Sequence, residues 1–140
     1  MSEENKAIMR RGMEEVVSGG NLDLIDELVS PDFVDHNPLP GVSPDREGLK
    51  RSIAMLREGF PDIGTKVGDF ISEGEKVVAH YTLSGTHEGE FMGVPPTSRE
   101  VEWSAIIIFR IVDGQIREQW LEQDQLGLLQ QLGAFSTPRG

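Results

Sequence analysis

The residues best suited to chemistry stand in one run near the C-terminus, Ile116-Arg117-Glu118-Gln119-Trp120-Leu121-Glu122-Gln123-Asp124. In a regular strand, Ile116, Glu118, Trp120, Glu122 and Asp124 share one face. Buried carboxylates need partners, so this face reads as a pocket wall that runs out toward solvent. Asp124 then stands where the strand gives way to a helix. A carboxylate there can exchange protons with a substrate, or it can cap the helix; the residues leave both roles open. Trp103, on the facing strand with Val101, Ala105 and Ile107, reads as core. There are three histidines, His36, His80 and His87. None is paired at the spacing of a metal site. His80 shares a strand face with Val78 and Thr82, where it is either a pocket base or a hydrogen-bonded histidine on a solvated face. His36 lies in Asp35-His36-Asn37-Pro38, where Asp35 and Asn37 alternatively make an Asx-type turn before proline. His87, after Gly85-Thr86, reads as a loop-ordering residue.

Other chemistries have no carrier. No Gly-x-Ser-x-Gly elbow occurs, and the glycines from Gly85 to Gly93 lack both the Lys-Ser/Thr pair and the dinucleotide spacing. The chain has no cysteine, which excludes disulfides, a thiolate nucleophile and Cys-type metal sites. Thirteen Lys and Arg against 24 Asp and Glu leave a formal charge of -11, the opposite of what phosphate backbones attract. No apolar run is long enough to span a membrane, and Met1-Ser2-Glu3-Glu4 is acidic where a secretory signal is basic. A cytoplasmic protein without nucleic-acid or membrane partners is expected.

The elements that must position these residues come in two blocks. Met9, Met13, Val16 and Val17 recur at helical spacing until Ser18-Gly19-Gly20 stops them. Asn21 is a plausible cap for a second helix with a stripe of Leu24, Ile25, Leu28 and Val29, ended by Pro31. Phe33 to His36 reads as a short strand. Ser43-Pro44 places a cap and a first-turn proline ahead of a third helix bearing Leu49, Ile53, Leu56 and Phe60. The pattern then switches to period two, with strands at about 63–71, 76–84, 99–111 and 115–123. Asp113-Gly114 is a strong hairpin turn. A closing helix runs from Asp124 to Leu132, before a Pro/Gly-containing tail. Helices followed by an antiparallel meander predict a single α+β domain over 1–140, its sheet curled around the helices to leave a cone-shaped cavity.

Several stretches together resemble the SnoaL-like polyketide cyclases of the nuclear-transport-factor-2-like superfamily. They are Asp35-His36-Asn37-Pro38, the run Gly85 to Thr97, Asp113-Gly114-Gln115-Ile116, and the run Trp120 to Gly133. The resemblance covers almost the whole chain. It implies a curved antiparallel sheet closed by helices into an α+β barrel, and an intramolecular aldol closure of a polyketide ester without metal or cofactor. It implies an acid–base aspartate between the last strand and the last helix, here Asp124, and a polar pocket residue after the second helix, here Asn37 with His36. The family's histidine on the penultimate strand has no counterpart among Ile106, Ile108 and Arg110. His80 on the neighbouring strand is expected to supply the missing imidazole.

The expected function is therefore proton-transfer catalysis on a polyketide-like carbonyl substrate in an apolar pocket. Asp124 and His80 are the expected catalytic pair. His36, Asn37, Phe91, Trp103, Arg110, Glu118 and Trp120 are expected to bind substrate, the aromatic ones as walls for a flat molecule. Another cofactor-free isomerase, dehydratase or hydrolase, or a non-catalytic small-molecule-binding dimer, is the alternative. A homodimer is expected because the strand at 101–111 is apolar on both faces, Ile106 and Ile108 on one and Ile107 and Phe109 on the other.

Overall fold

Met9, Met13 and Val16 lie on one face of the N-terminal segment, and that face is buried. In the computed structural model, which describes residues 2–134, the segment forms helix α1 (Ser2–Arg11) and continues as a π-helical stretch, Gly12–Ser18. Arg57 closes that stretch, its Nη1 donating to the carbonyls of Val17 at 2.7 Å and Ser18 at 2.8 Å. The second helix is shorter than its stripe suggested. A 3₁₀ turn, Leu22–Leu24, leads into α2 (Ile25–Leu28), and Val29 already begins strand β1 (Val29–Asp35). Pro31 accounts for this, because the residue before a proline is driven toward extended backbone. Asn21 stands at the N-terminus of the turn but makes no side-chain capping bond.

Helix α3 (Arg46–Gly59) starts later than Ser43-Pro44 implied. Asp45 is its cap: its Oδ1 accepts from Gly48 N at 2.9 Å and from Ser43 Oγ at 2.7 Å. The Pro44 carbonyl instead accepts from Asp35 N at 2.9 Å, tying the head of the helix to β1.

The remaining strands are β2 (Gly64–Glu73), β3 (Lys76–Thr86), β4 (Glu100–Val112) and β5 (Gln115–Gln123). They form an antiparallel meander, as the period-two pattern indicated. β1 adds to β5 in parallel, so the sheet is mixed, in the order β1-β5-β4-β3-β2, curved and unclosed. Its inner face carries Val77, Ala79, Tyr81 and Leu83 from β3 and Trp103, Ala105, Ile107 and Phe109 from β4, all buried. The outer face carries Val78 and His80, then Ile106, Ile108 and Arg110.

One irregularity decides where the C-terminal run points. Arg110 pairs with Glu118 but Ile111 pairs with Ile116, so Arg117 is an extra residue in β5. A bulge reverses the parity of everything beyond it. Ile116 points inward, yet Glu118, Trp120 and Glu122 lie opposite Arg110, Ile108 and Ile106 on the outer face. Gln119, Leu121 and Gln123 take the inner one. Helix α4 (Gln125–Gln131) follows, capped by Asp124. The Gln131 amide pairs with both Glu102 N and Glu102 O, at 2.9 and 2.7 Å, standing in for a neighbouring strand. The Pro/Gly-containing tail after 134 lies outside the described residues.

Candidate functional site

The inner face of the sheet, the π-helical stretch and α3 enclose a cavity of about 450 Å³. Its walls are mostly apolar: Met13, Val16 and Val17 from the π-helical stretch, Leu49, Ile53 and Leu56 from α3, and Ile107 and Phe109 from β4. The polar groups come mainly from the ends of β1 and β5, namely Asp35, Asn37, Gln119 and Gln123, with Glu122 at the rim, Tyr81 on β3, Ser52 on α3 and Gln125 at the head of the last helix. Among the described residues that line it there is no Lys, Arg or His.

Asp35 is the most constrained of these groups. It is 7% exposed at the end of β1, on the same inward parity as Phe33. Its Oδ1 accepts from Asn37 N at 2.9 Å, and Gln119 Nε2 stands 3.5 Å from its Oδ2. Burial raises the affinity of the Asp35 carboxyl for its proton, and the Asn37 amide offsets this only in part. The Asx turn read from the sequence is thus present, but the same carboxylate also faces the cavity. Asn37 holds the mouth in place. Its Oδ1 accepts from Leu121 N at 3.0 Å, and its Nδ2 lies 3.4 Å from Glu122 Oε1.

Of the expected site residues, the structure brings Asn37 and Phe91 to the cavity. Phe91 is held by its loop: Glu88 N and Gly89 N donate to the Gly59 carbonyl at 3.0 and 3.2 Å. Gly89 is needed there, since a Cβ on it would stand 2.1 Å from the Glu58 carbonyl oxygen. His87 orders the other end of this loop, its Nδ1 accepting from Thr97 N at 3.2 Å.

The other expected residues lie elsewhere. Asp124 is exposed and caps α4, accepting from Gly127 N at 2.9 Å; Gln123 and Gln125 on either side line the cavity, and Asp124 does not. His80 is exposed on the outer face opposite Ile106, because the alternation of β3 gives the inner face to Ala79 and Tyr81. Trp103 is core, 3% exposed, its indole N–H donating to Gln123 Oε1 at 2.9 Å. His36, Trp120, Glu118 and Arg110 form one cluster on the outer face, the consequence of the bulge. The His36 ring stacks on Trp120 at 4.5 Å, and its Nε2 lies 3.0 Å from Glu118 Oε1. Arg110 binds the other Glu118 oxygen and, at 3.3 Å, Glu75. Arg110 and then His36 hold the Glu118 carboxyl below the usual carboxylate range.

Asp35, Gln119 and Tyr81 are three of the polar cavity groups that sequence reasoning missed, with Ser52, Gln123 and Gln125. The signal for Tyr81 was present, as Val77, Ala79, Tyr81 and Leu83 are the more apolar parity of β3. Gln119 was hidden by the bulge, and Asp35 by its local turn. Among the described residues no three His, Asp or Glu side chains converge as a metal cluster.

Comparison with known proteins agrees with this architecture. The model of the SnoaL-like polyketide cyclase family matches residues 7–132. The nogalonic acid methyl ester cyclase of Streptomyces nogalater is 32% identical over 116 residues, covering 81% of this chain and 87% of that protein. The aklanonic acid methyl ester cyclase DnrD of Streptomyces peucetius is 31% identical over 140 residues, covering 95% and 94%. The structure of TsrD from Streptomyces laurentii superposes with a TM-score of 0.87 at 30% identity, over 96% of this chain and 98% of that one. An open curved sheet wrapped on helices, a cavity on its inner face and these matches together identify the chain as a member of the SnoaL-like polyketide cyclase family.

Proposed function

We propose that this chain is a cyclase acting on a neutral polyketide-like carbonyl compound, by intramolecular aldol closure or a closely related proton transfer, with Asp35 as the acid–base group. One observation carries the reading: a carboxylate of raised proton affinity sits at the polar end of a mostly apolar cavity. Closure needs a carbon acid deprotonated and an alkoxide protonated. The Asp35 carboxylate takes the proton from the carbon beside a carbonyl. The resulting enolate carbon attacks a second carbonyl carbon, forming the C–C bond and leaving an alkoxide. The Asp35 carboxyl then returns its proton to that oxygen, so product and substrate are isomers. A group whose proton affinity is moved toward working pH serves both halves of such a cycle.

The charge of the cavity favours an uncharged substrate. Asp35 lies inside it, exposed Glu122 borders only its rim from the outer-face parity, and among the described residues that line it there is no cation, so a free acid would meet repulsion without a partner. Two relatives are named as methyl ester cyclases, which agrees with an esterified substrate. Incubation with a panel of neutral polyketide methyl esters, followed by chromatography and mass analysis, tests this. A ring-closed product of unchanged mass is expected from at least one ester and not from its free acid. Recovery of every bound ester unchanged overturns the reading.

We further propose that the chain is a homodimer joined through the outer face of the sheet. Across that face the register gives three rows: His80, Ile106, Glu122; Val78, Ile108, Trp120; and Lys76, Arg110, Glu118. The middle row is apolar, basic groups lie toward β3, and carboxylates lie toward β5. A two-fold axis along β4 sets the β3 side of one copy over the β5 side of the other, a self-complementary arrangement. Ile106, 48% exposed on β4 beside the middle row, is the anchor. Sedimentation at micromolar concentration is expected to give about twice the 15.5 kDa chain mass, and Ile106→Glu the single chain. A parent of 15.5 kDa overturns this proposal.

A further inference from the structure

The cavity walls contributed by β3 and β4 are apolar with one exception. Leu83, Ile107 and Phe109 offer only carbon, whereas Tyr81 carries a hydroxyl. Tyr81 is 8% exposed, on the inner face between Ala79 and Leu83. Its hydroxyl has no hydrogen-bond partner among the described residues. It is not sealed in the core either: among the described residues the sealed side-chain polar atoms without a partner are Ser72 Oγ, His87 Nε2 and Arg117 Nε. A buried tyrosine normally finds a partner for its O–H, and phenylalanine would fill the same wall without one to satisfy. An O–H that protein atoms leave free and that opens onto a cavity is placed for a ligand.

Two of the amides at the Asp35 end of the cavity are already engaged by protein groups. The Asn37 amide is engaged by Leu121 N and Glu122, and the Gln119 amide faces the Asp35 carboxyl at 3.5 Å. Burial pushes the Tyr81 phenol well above the ordinary tyrosine range, so it remains a donor at every working pH.

We propose that Tyr81 is a catalytic residue whose hydroxyl donates to the substrate carbonyl oxygen and stabilises the enolate formed there. The inference rests on Asp35 as the base. As Asp35 takes the proton, the C–H pair becomes the enolate C=C bond and the carbonyl π pair moves onto oxygen. Tyr81 keeps its own proton and strengthens its hydrogen bond as that oxygen becomes negative. Such a donor in a dry site acts mainly on the transition state.

The test separates this inference from the reading it rests on. Infrared difference spectra of bound 1-tetralone, a neutral bicyclic aromatic ketone, report directly on a donor to the carbonyl and require no turnover. With the parent, the carbonyl stretch is expected to move to lower frequency than in an apolar solvent, and Tyr81→Phe to abolish that movement. The ketone's affinity is expected to fall roughly two- to tenfold, the range of one neutral hydrogen bond. Tyr81→Phe is expected to melt at or above the parent temperature, since its hydroxyl binds no protein group. On a neutral ester that the parent cyclises, kcat is expected to fall about 10²- to 10³-fold. The same carbonyl frequency in parent and variant overturns the proposal, as does a parent that does not bind the ketone. A shifted carbonyl in a protein that cyclises no ester leaves Tyr81 as the carbonyl donor and sinks only the cyclase reading.

Discussion

Asp35 and Asp124 are both carboxylates at the end of a strand, and their surroundings separate their roles. Asp35 is buried and binds its proton more tightly in the folded protein than in the unfolded chain. The stability from that extra affinity is present below the ordinary carboxylate range and is lost as pH rises through the raised folded-state value. Above that value the ionised, buried group opposes folding. Asp35→Asn is expected to melt above the parent at pH 7, and the gap to close in acid, by calorimetry at both pH values. By the same shift, the acid limb of kcat/KM for the parent is expected above the ordinary carboxylate range. Asp124 is exposed and accepts from Gly127 N. Asp124→Asn is expected to leave stability and turnover near parental values, whereas Asp124→Ala costs about 1 kcal/mol of capping in denaturant unfolding. A large loss of turnover in a stable Asp124→Asn would restore it as the acid–base group. At this scale the capping role of Asp124 was legible in the sequence. The value of Asp35 was not, since its worth comes from burial by elements remote in the chain.

Between residues and fold, one extra residue in β5 decided more than any motif. The alternation of Glu118, Trp120 and Glu122 was read correctly as one face, but Arg117 turns that face outward. Bulges have no signal in a single sequence strong enough to place them, so the parity of the last strand was beyond reach. The apolar parity of β3 was a safer guide: it gives the inner face to Ala79 and Tyr81 and so stands against the catalytic role expected of His80, which lies exposed on the outer face. The π-helical stretch was likewise invisible, because Met13, Val16 and Val17 fit an ordinary helix as well. That stretch carries Gly12, which lines the cavity and whose added Cβ would meet nothing within 4 Å. Gly12→Leu is expected to stabilise the helix by roughly 0.5–1 kcal/mol, as glycine is a poor helix former. It is expected at the same time to weaken binding of multi-ring esters by filling cavity space. Unchanged affinity, measured by calorimetric titration, would show that Gly12 borders solvent rather than the ligand.

For the molecule as a whole, the helices-then-meander order made the α+β architecture and its inner cavity legible. The short strand at Phe33 to His36 was legible too, but its earlier start at Val29 and its parallel addition to β5 were not, since nothing in a single sequence names the pairing partner of an isolated strand. That addition matters, because it delivers Asp35 and Asn37 from the front of the chain to the polar groups of β5. The account's central claim is that this assembled end of the cavity moves a proton on a neutral carbonyl substrate through Asp35. The most direct measurement is deuterium uptake from D₂O at the carbon beside the carbonyl of a bound neutral polyketide methyl ester, by mass spectrometry. The parent is expected to incorporate solvent deuterium or carry it into the closed product. Asp35→Asn, folded and still binding the ester, is expected to do so about two to four orders of magnitude more slowly. Exchange at the parental rate in that variant would contradict the account.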